Sequence, residues 1–525
     1  MKTRLMIAIG ALTAAAALAL PLRLAAQNKN VRHRFHHYQL IDMGTFGGPM
    51  SFINLPFNAV PALNNQGTTV GSSATSIAST STSNYFICNG PGGDVPNIFH
   101  GFQSQNNLTI DLLALPPEET NCSDAVSINA RNETVGTSEN GIVDPVVGLN
   151  ELRAVAWKNG EIINLGTLGG NHSGAIGINN EGWVVGFALN AVADPYSILD
   201  DQIFGFSNGT QTRAVLWRQG QAYDLGTLGG PDAVASFVNE QGQIAGFSYT
   251  NSAPNSATGF PTEDPFLWRD GTMLDIGTLG GVYGYAAALN NLGQVVGYSS
   301  LAADPGACLT LGPGSPNCDA FLWDHGTLID LTASTIGGSP SFVFGINDAG
   351  ANVGGAVFPN APFDAYLWKK GVATDLGHLN DCESLAFAIN SNGQVVGGTF
   401  SCADGSHSHA FLWEDGTMVD LDTLVPAGSP LQLVEAATIN DRGEIAGNGA
   451  PQGVARKDFG TMGHAFLLIP CDEHHPGVEG CDYSLVDAKE QRAAPSDMRK
   501  SAQTPSPAWW RRNSRFHISA LGPKN

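Results

Sequence analysis

The chain has 525 residues, enough for a large core, and only 14% of them are charged against 42% hydrophobic, with 64 Gly and 29 Pro. That mix suits many short strands and turns better than helices, and it predicts an all-β protein. A formal net charge of −22 repels nucleic acid and anionic lipid, which excludes a DNA- or RNA-binding role and leaves cations, basic proteins or neutral polymers as partners.

Residues 1–26 carry Lys2 and Arg4, an apolar run from Leu5 to Leu20 and the small-residue exit Leu24-Ala25-Ala26. This is the pattern of a secretory signal peptide, so the mature chain is expected to begin near Gln27 and to be secreted, extracellular or periplasmic. No later run reaches the ~18 apolar residues of a membrane span, and no transmembrane segment is expected. Residues 27–37 include His33, His36 and His37; they read as a basic linker rather than a metal site.

Tyr38 to Gly48 (YQLIDMGTFGG) is the second half of a hairpin whose first half is missing. The complete hairpin recurs downstream, most fully as His409-Ala410-Phe411-Leu412-Trp413, Gly416 and Met418-Val419-Asp420-Leu421, with earlier copies around Trp157, Trp217, Trp268, Trp323 and Trp368. An apolar run ending in Trp, a turn with Gly and a second apolar run describe two strands joined by a tight turn. The Trp, fixed at a strand end, is expected to pack between repeats rather than to stack on a sugar.

A second element alternates with the hairpin: Asn, two variable residues and Gly, then an apolar pair and another Gly, as in Asn390 to Gly397. Its Asn recurs at 64, 129, 179, 239, 290, 347, 390 and 440. This is turn chemistry, the amide bonding the backbone ahead and Gly taking the left-handed conformation, with Asn132 standing in for Gly in one copy. One unit therefore reads as strand a (Ala386 to Asn390), strand b (Gln394 to Thr399), strand c (Ala410 to Trp413) and strand d (Met418 to Leu421).

Four antiparallel strands recurring about every 45 to 65 residues are the blade of a β-propeller. Seven units are complete, and the strands around Asn440 and His464-Ala465-Phe466-Leu467-Leu468 lack a d strand. Pairing them with the orphan at Tyr38 predicts eight four-stranded blades over residues 38–470, closed by the N-terminal strand, which hides edges that a solenoid would have to cap.

The b-to-c and d-to-a connections fall on one face and carry the long insertions, Ala74 to Asn97, Asn190 to Thr212, Ser300 to Asn317 and Ala450 to Gly463. In an exported chain the eight cysteines read as disulfides. Neighbouring insertions favour Cys88 with Cys122, Cys308 with Cys318, Cys382 with Cys402 and Cys471 with Cys481, all on or near one face, with residues 471–482 as a disulfide-bearing extension. Residues 483–525 read as a disordered basic tail. From Lys489 on, eight Lys or Arg stand against Glu490 and Asp497, a balance of +6 that leaves −28 for the rest.

The units resemble those of bacterial extracellular HAF-repeat proteins, on the His-Ala-Phe at His409 to Phe411 and His464 to Phe466 and the Asp-Leu-Gly-Thr-Leu-Gly-Gly at Asp224 to Gly230. The resemblance spans about Tyr38 to Asp482; it implies export from a bacterium and a propeller-like repeat domain, and implies no settled reaction.

Motifs for chemistry are sparse. Gly205-Phe206-Ser207-Asn208-Gly209 has the spacing of a nucleophile elbow without its strand-to-helix context. Cys471-Asp472-Glu473-His474-His475 with Cys481 reads as a disulfide rather than a metal cluster, and no cofactor or metal is expected. A ligand site is expected on the insertion face near the channel mouth, at His172, Ser173, Asp232, Tyr283, Tyr285, Asp381 and Glu383, which vary on an otherwise uniform frame. The expected function is a secreted, non-catalytic, monomeric repeat protein that binds a protein or glycan through that face. The alternatives are an exported hydrolase or lyase acting on a polysaccharide with Asp381 and Glu383 as its carboxylates, and a structural component of the envelope or matrix.

Overall fold

The computed structural model describes residues 34–54, 60–84, 87–88, 95–203, 209–305, 308, 318–333, 341–358, 363–379, 383–400 and 408–487. They form eight four-stranded antiparallel units arranged as the repeats predict. Blade 7 shows the pattern: strand a Glu383–Ile389, strand b Val395–Phe400, strand c His409–Glu414 and strand d Thr417–Asp420. Its c-to-d turn has Asp415 and Gly416 at φ 49° and 86°, the doubly left-handed turn whose twist matches a two-residue hairpin.

Blade 8 is composite. Strands Leu431–Ile439, Ile445–Pro451 and His464–Pro470 come from the end of the chain, and Tyr38–Asp42 pairs with the last of them in register from Tyr38↔Pro470 to Asp42↔Phe466. The N-terminal strand thus completes the last blade. Tyr38 and Leu40 face inward beside Phe466 and Leu468, while the intervening positions are partly exposed, as alternation on a strand requires.

The blades pack through apolar layers that each join two neighbours. One contains Val135 and Ala154 of blade 2 with Ala175, Val215 and Trp217 of blade 3; another contains Phe237 and Leu267 of blade 4 with Ala286, Phe321 and Trp323 of blade 5. Trp157, Trp217, Trp323 and Trp368 are buried, and Trp268 and Trp413 pack against such layers. The inter-blade role expected of the repeated Trp holds.

The repeated Asn does more than turn chemistry requires. In Asn390, Oδ1 accepts the N–H groups of Asn392 and Gln394, 3.1 and 3.0 Å away, which ties the a-to-b turn as expected. Nδ2 then donates to the backbone carbonyl of the corresponding Asn in the next blade. This bond runs unbroken from Asn64 through Asn129, Asn179, Asn239, Asn290, Asn347, Asn390 and Asn440 and back to Asn64, at 2.9 to 3.1 Å. Eight side chains thus join every blade to the next, while strand pairing between blades is given only by the parallel bridge Glu263↔Tyr283 from blade 4 to blade 5 among the described residues. Asn132, standing where other units have Gly, takes φ 58°.

Disulfides join Cys88 to Cys122, Cys308 to Cys318 and Cys471 to Cys481; Cys382 and Cys402 lie outside the described residues. The expected placement on one face needs correction. Strand c ends at the tight-turn face, so the Cys471–Cys481 extension leaves the ring there, with His475 buried between Asp472 and Glu444. Beside it, Arg34–His36 of the segment read as a linker pairs with Leu485–Asp487 of the segment read as a disordered tail in a two-stranded ribbon. The rest of the tail, from residue 488, lies outside the described residues. Among the described residues no helix is long and apolar enough to cross a membrane.

Candidate functional site

Five of the seven residues expected to bind a ligand are interior groups that hold the frame. His172 is fully buried. Its Nδ1 accepts the Leu152 N–H at 3.1 Å, so the proton sits on Nε2 and faces Asp144 Oδ2 at 3.0 Å. Burial pushes the Asp144 carboxyl up, but hydrogen bonds from His172, Val146 and Asn171 outweigh it and hold the group below the usual carboxylate range. Ser173 Oγ accepts the Ala154 N–H at 2.9 Å and donates to the Gly166 carbonyl at 2.8 Å, bridging strand a to the preceding blade. Ser51, Ser123, Ser341 and Ser384 accept a backbone N–H from the preceding blade in the same way.

Asp232 accepts the N–H groups of Ile198 and Thr212, at 2.6 and 2.9 Å, pinning the blade 3 insertion to its strand c. Burial first, then Asp194, pushes its carboxyl well above the ordinary range. Tyr283 is buried, and Tyr285 stacks on Tyr298 with ring centroids 5.4 Å apart. An aromatic series runs across blades 4 to 6, from Phe247 through Tyr285 and Tyr298 to Phe342 and Phe363. Glu383 alone is partly open; burial and then Asp364 raise its carboxyl to about 7. Asp381 lies outside the described residues. Variation from unit to unit at these positions tracks what each insertion must be fastened to, which sequence alone does not separate from a binding face.

What the insertion face does present is apolar and periodic. The b strands of blades 1 to 3, Thr69–Ala78, Thr134–Val143 and Val184–Ala193, have 10 residues each, against 6 in Ile244–Tyr249 and Val395–Phe400. Four extra residues project a hairpin by about 13 Å. Each hairpin breaks register at the same place, between Ala74 and Ala78, Glu139 and Val143, and Leu189 and Ala193. In each break the side chain of Thr75, Asn140 or Asn190 accepts the N–H two residues on, a local bulge that re-aims the next few side chains. The residue so presented is Ile77, Ile142 or Val192, at 41, 57 and 54% exposure, with Val143 and Val146 exposed beside the second. Neither bulge nor exposure shows in the sequence pattern, but the common spacing of six residues from Gly71, Gly136 and Gly186 does.

Ligand atoms of His409, Asp420 and Asp422 lie within 4.8 Å of one another. His409 Nδ1 is 2.9 Å from Asp420, however, and the Arg456 guanidinium bonds Asp422 and supplies the positive charge there. A cavity of about 410 Å³ opens on the face opposite the insertions, within the ring of eight Asn.

No family model and no curated protein matches the chain. Among solved structures it is similar to the β-propeller domain of the Trilobed protease from Pyrococcus furiosus, with 9% identity and a TM-score of 0.36 over 70% of this chain and 98% of that one. It is also similar to an acylaminoacyl peptidase from Pyrococcus horikoshii, at 10% identity and 0.35 over 78% of this chain and 59% of that one. A puromycin-hydrolyzing peptidase from Mycobacterium tuberculosis matches at 11% identity and 0.37 over 79% of this chain. The chain spans 59 to 63% of the length of these two peptidases.

Proposed function

We propose that this protein is an exported, non-catalytic β-propeller, of the HAF-repeat kind, that binds a protein partner through its insertion face. The observation that carries the reading is the crest formed by Ile77, Ile142 and Val192, exposed at equivalent positions on three successive projecting hairpins. Single exposed apolar residues are ordinary, whereas a repeated structural device that presents them on one side of a ring marks an interaction surface. Three disulfides support an oxidising compartment. The test compares the mature chain with the triple variant Ile77→Asp, Ile142→Asp, Val192→Asp as immobilised bait. A specific partner retained by the first and lost by the second, with the melting temperature unchanged, is the expected result. Equal retention by both would move the interface elsewhere.

A second reading, an exported hydrolase or lyase acting on a polysaccharide, rests on Glu383, whose carboxyl at about 7 can exchange a proton at neutral pH. It requires product release that Glu383→Gln abolishes.

A further inference from the structure

The cavity inside the Asn ring has a composition that neither the turns nor the ring closure requires. Its inner wall is apolar, with Val60, Ile178, Leu289, Ile346 and Ile389 contributed by different blades. Its rim is made by the residue that comes after each ring Asn. In blades 1, 3 and 5 this is Asn65, Asn180 and Asn291; in blades 4, 6 and 8 it is Glu240, Asp348 and Asp441. Carboxylates therefore stand on alternate blades from blade 4 to blade 8. No Lys, Arg or His is among the described residues lining the cavity.

Amide and carboxylate do the same structural work at the rim. Asn180 Oδ1 accepts the Ala130 N–H at 2.7 Å and Asn291 Oδ1 accepts that of Glu240 at 3.0 Å. Asp348 Oδ1 accepts that of Asn291 at 2.8 Å and Asp441 Oδ1 that of Ser391 at 2.9 Å. The bond from blade to blade needs one side-chain oxygen and no charge. An ionised carboxylate also has about four acceptor positions, of which Asp348 spends two on Asn291 of blade 5 and Asp441 three on Ser391 of blade 7 and Asn65 of blade 1. The charge and the remaining lone pairs stand at the mouth of a cavity with apolar walls whose described lining holds no cation, Arg131 standing near Glu240 outside that lining.

We propose that this mouth binds a primary ammonium group carried on an alkyl stem, the stem lying against the apolar wall and the ammonium bridging rim carboxylates from different blades. A lysine side chain of a partner and a small free diamine share that chemistry. The volume of about 410 Å³ accommodates an unbranched chain of five carbons, and the net charge of −22 draws such cations toward the ring.

The test uses calorimetry on the mature full chain with 1,5-diaminopentane, with a short lysine-bearing peptide and with its acetyl-lysine counterpart. Binding of the amines is expected to weaken at least tenfold in the triple variant Glu240→Gln, Asp348→Asn, Asp441→Asn, which keeps the ring because Asn already serves at the same position in three blades. Acetylation is expected to abolish binding of the peptide. Tighter binding of the peptide assigns the site to a partner's lysine, and tighter binding of the diamine assigns it to a free amine. Absence of binding by both amines to the folded chain, or equal affinity in the triple variant, overturns the proposal. The insertion-face variants leave this binding unchanged, so failure here and failure of the proposed interface are separate results.

Discussion

Asn290 shows how much one repeated residue does. Its Oδ1 accepts the N–H groups of Leu292 and Gln294, and its Nδ2 donates to the Asn347 carbonyl and to Gln294 Oε1, all while 4% exposed. Asn290→Ala leaves buried donors and an acceptor unmet, at about 1–3 kcal/mol, whereas Leu292→Ala in the same turn, at 55% exposure, is expected within about 0.5 kcal/mol of neutral; denaturant midpoints of the two variants check the contrast. The His of His-Ala-Phe has an equally specific task. His464 lies 2.9 Å from Asp42, His100 2.9 Å from Asp111 and His409 2.9 Å from Asp420, each pairing strand c with strand d, and Arg213 substitutes opposite Asp224. Blades 4, 5 and 6 carry Asp264, Asp319 and Asp364 at this position instead; in blade 4, burial first, then the facing Asp275, raises Asp264 to about 7. Asp264→His introduces the pair that blades 1, 7 and 8 use and is expected to stabilise the protein by about 0.5–2 kcal/mol at pH 7, read as a shift of the denaturant midpoint; a lower midpoint would show that the blade 4 site cannot house the ring.

At the scale of elements, the clasp and the hairpins were unequally legible. The orphan strand at Tyr38–Asp42 is legible because Tyr38 to Gly48 repeats the second half of the hairpin and because its missing partner stands near the other end of the repeats. The strand limits in blade 7 differ from the repeat pattern by three residues at most, since Gly and Asn punctuate every turn. The Asn ring was not legible: a side chain that bonds its own turn leaves the same signature whether or not its amide also reaches the next blade. Nor was the burial of His172, Ser173 and Asp232, because polar residues in d-to-a connections look alike whether they meet solvent or an insertion's backbone. The Cys471–Cys481 bridge forms the expected pair but lies away from the insertions, because strand c ends at the tight-turn face. There it holds His475 against the turn that carries Glu444, next to the composite blade. Replacing both cysteines by Ser removes a 10-residue closure, and is expected to cost about 2–3 kcal/mol, seen as a lower melting temperature that reducing agent no longer changes in the region of the clasp.

For the whole molecule the acidic balance has two sources that respond differently to pH and salt. Surface carboxylates repel one another, and salt screens them over about 8–10 Å. A second set is interior. Glu435 is 1% exposed, its Oε1 accepts from Asn448 at 2.9 Å, and burial raises its carboxyl from 4.5 to about 8; Glu263, Asp232 and Glu139 are also raised, burial being the first cause in each. A carboxyl whose folded value lies above its unfolded one binds its proton more tightly in the folded state. Its contribution is therefore full below the unfolded value and is lost as pH rises through the folded value, here from about 4.5 to about 8. Glu133 has the opposite sign, held at about 2 by Lys158, Arg131 and Asn129 against the cost of burial, so its contribution is lost only below the ordinary carboxylate range. Stability is expected to peak in mildly acidic solution and to decline toward pH 8. If surface repulsion alone were responsible, 0.3 M salt would flatten the decline. If the interior acids are responsible, salt leaves most of it and Glu435→Gln removes part of it, because an amide in that position has no proton to lose. Melting temperatures from pH 4 to 9, at low and high salt, for the wild type and Glu435→Gln separate the two.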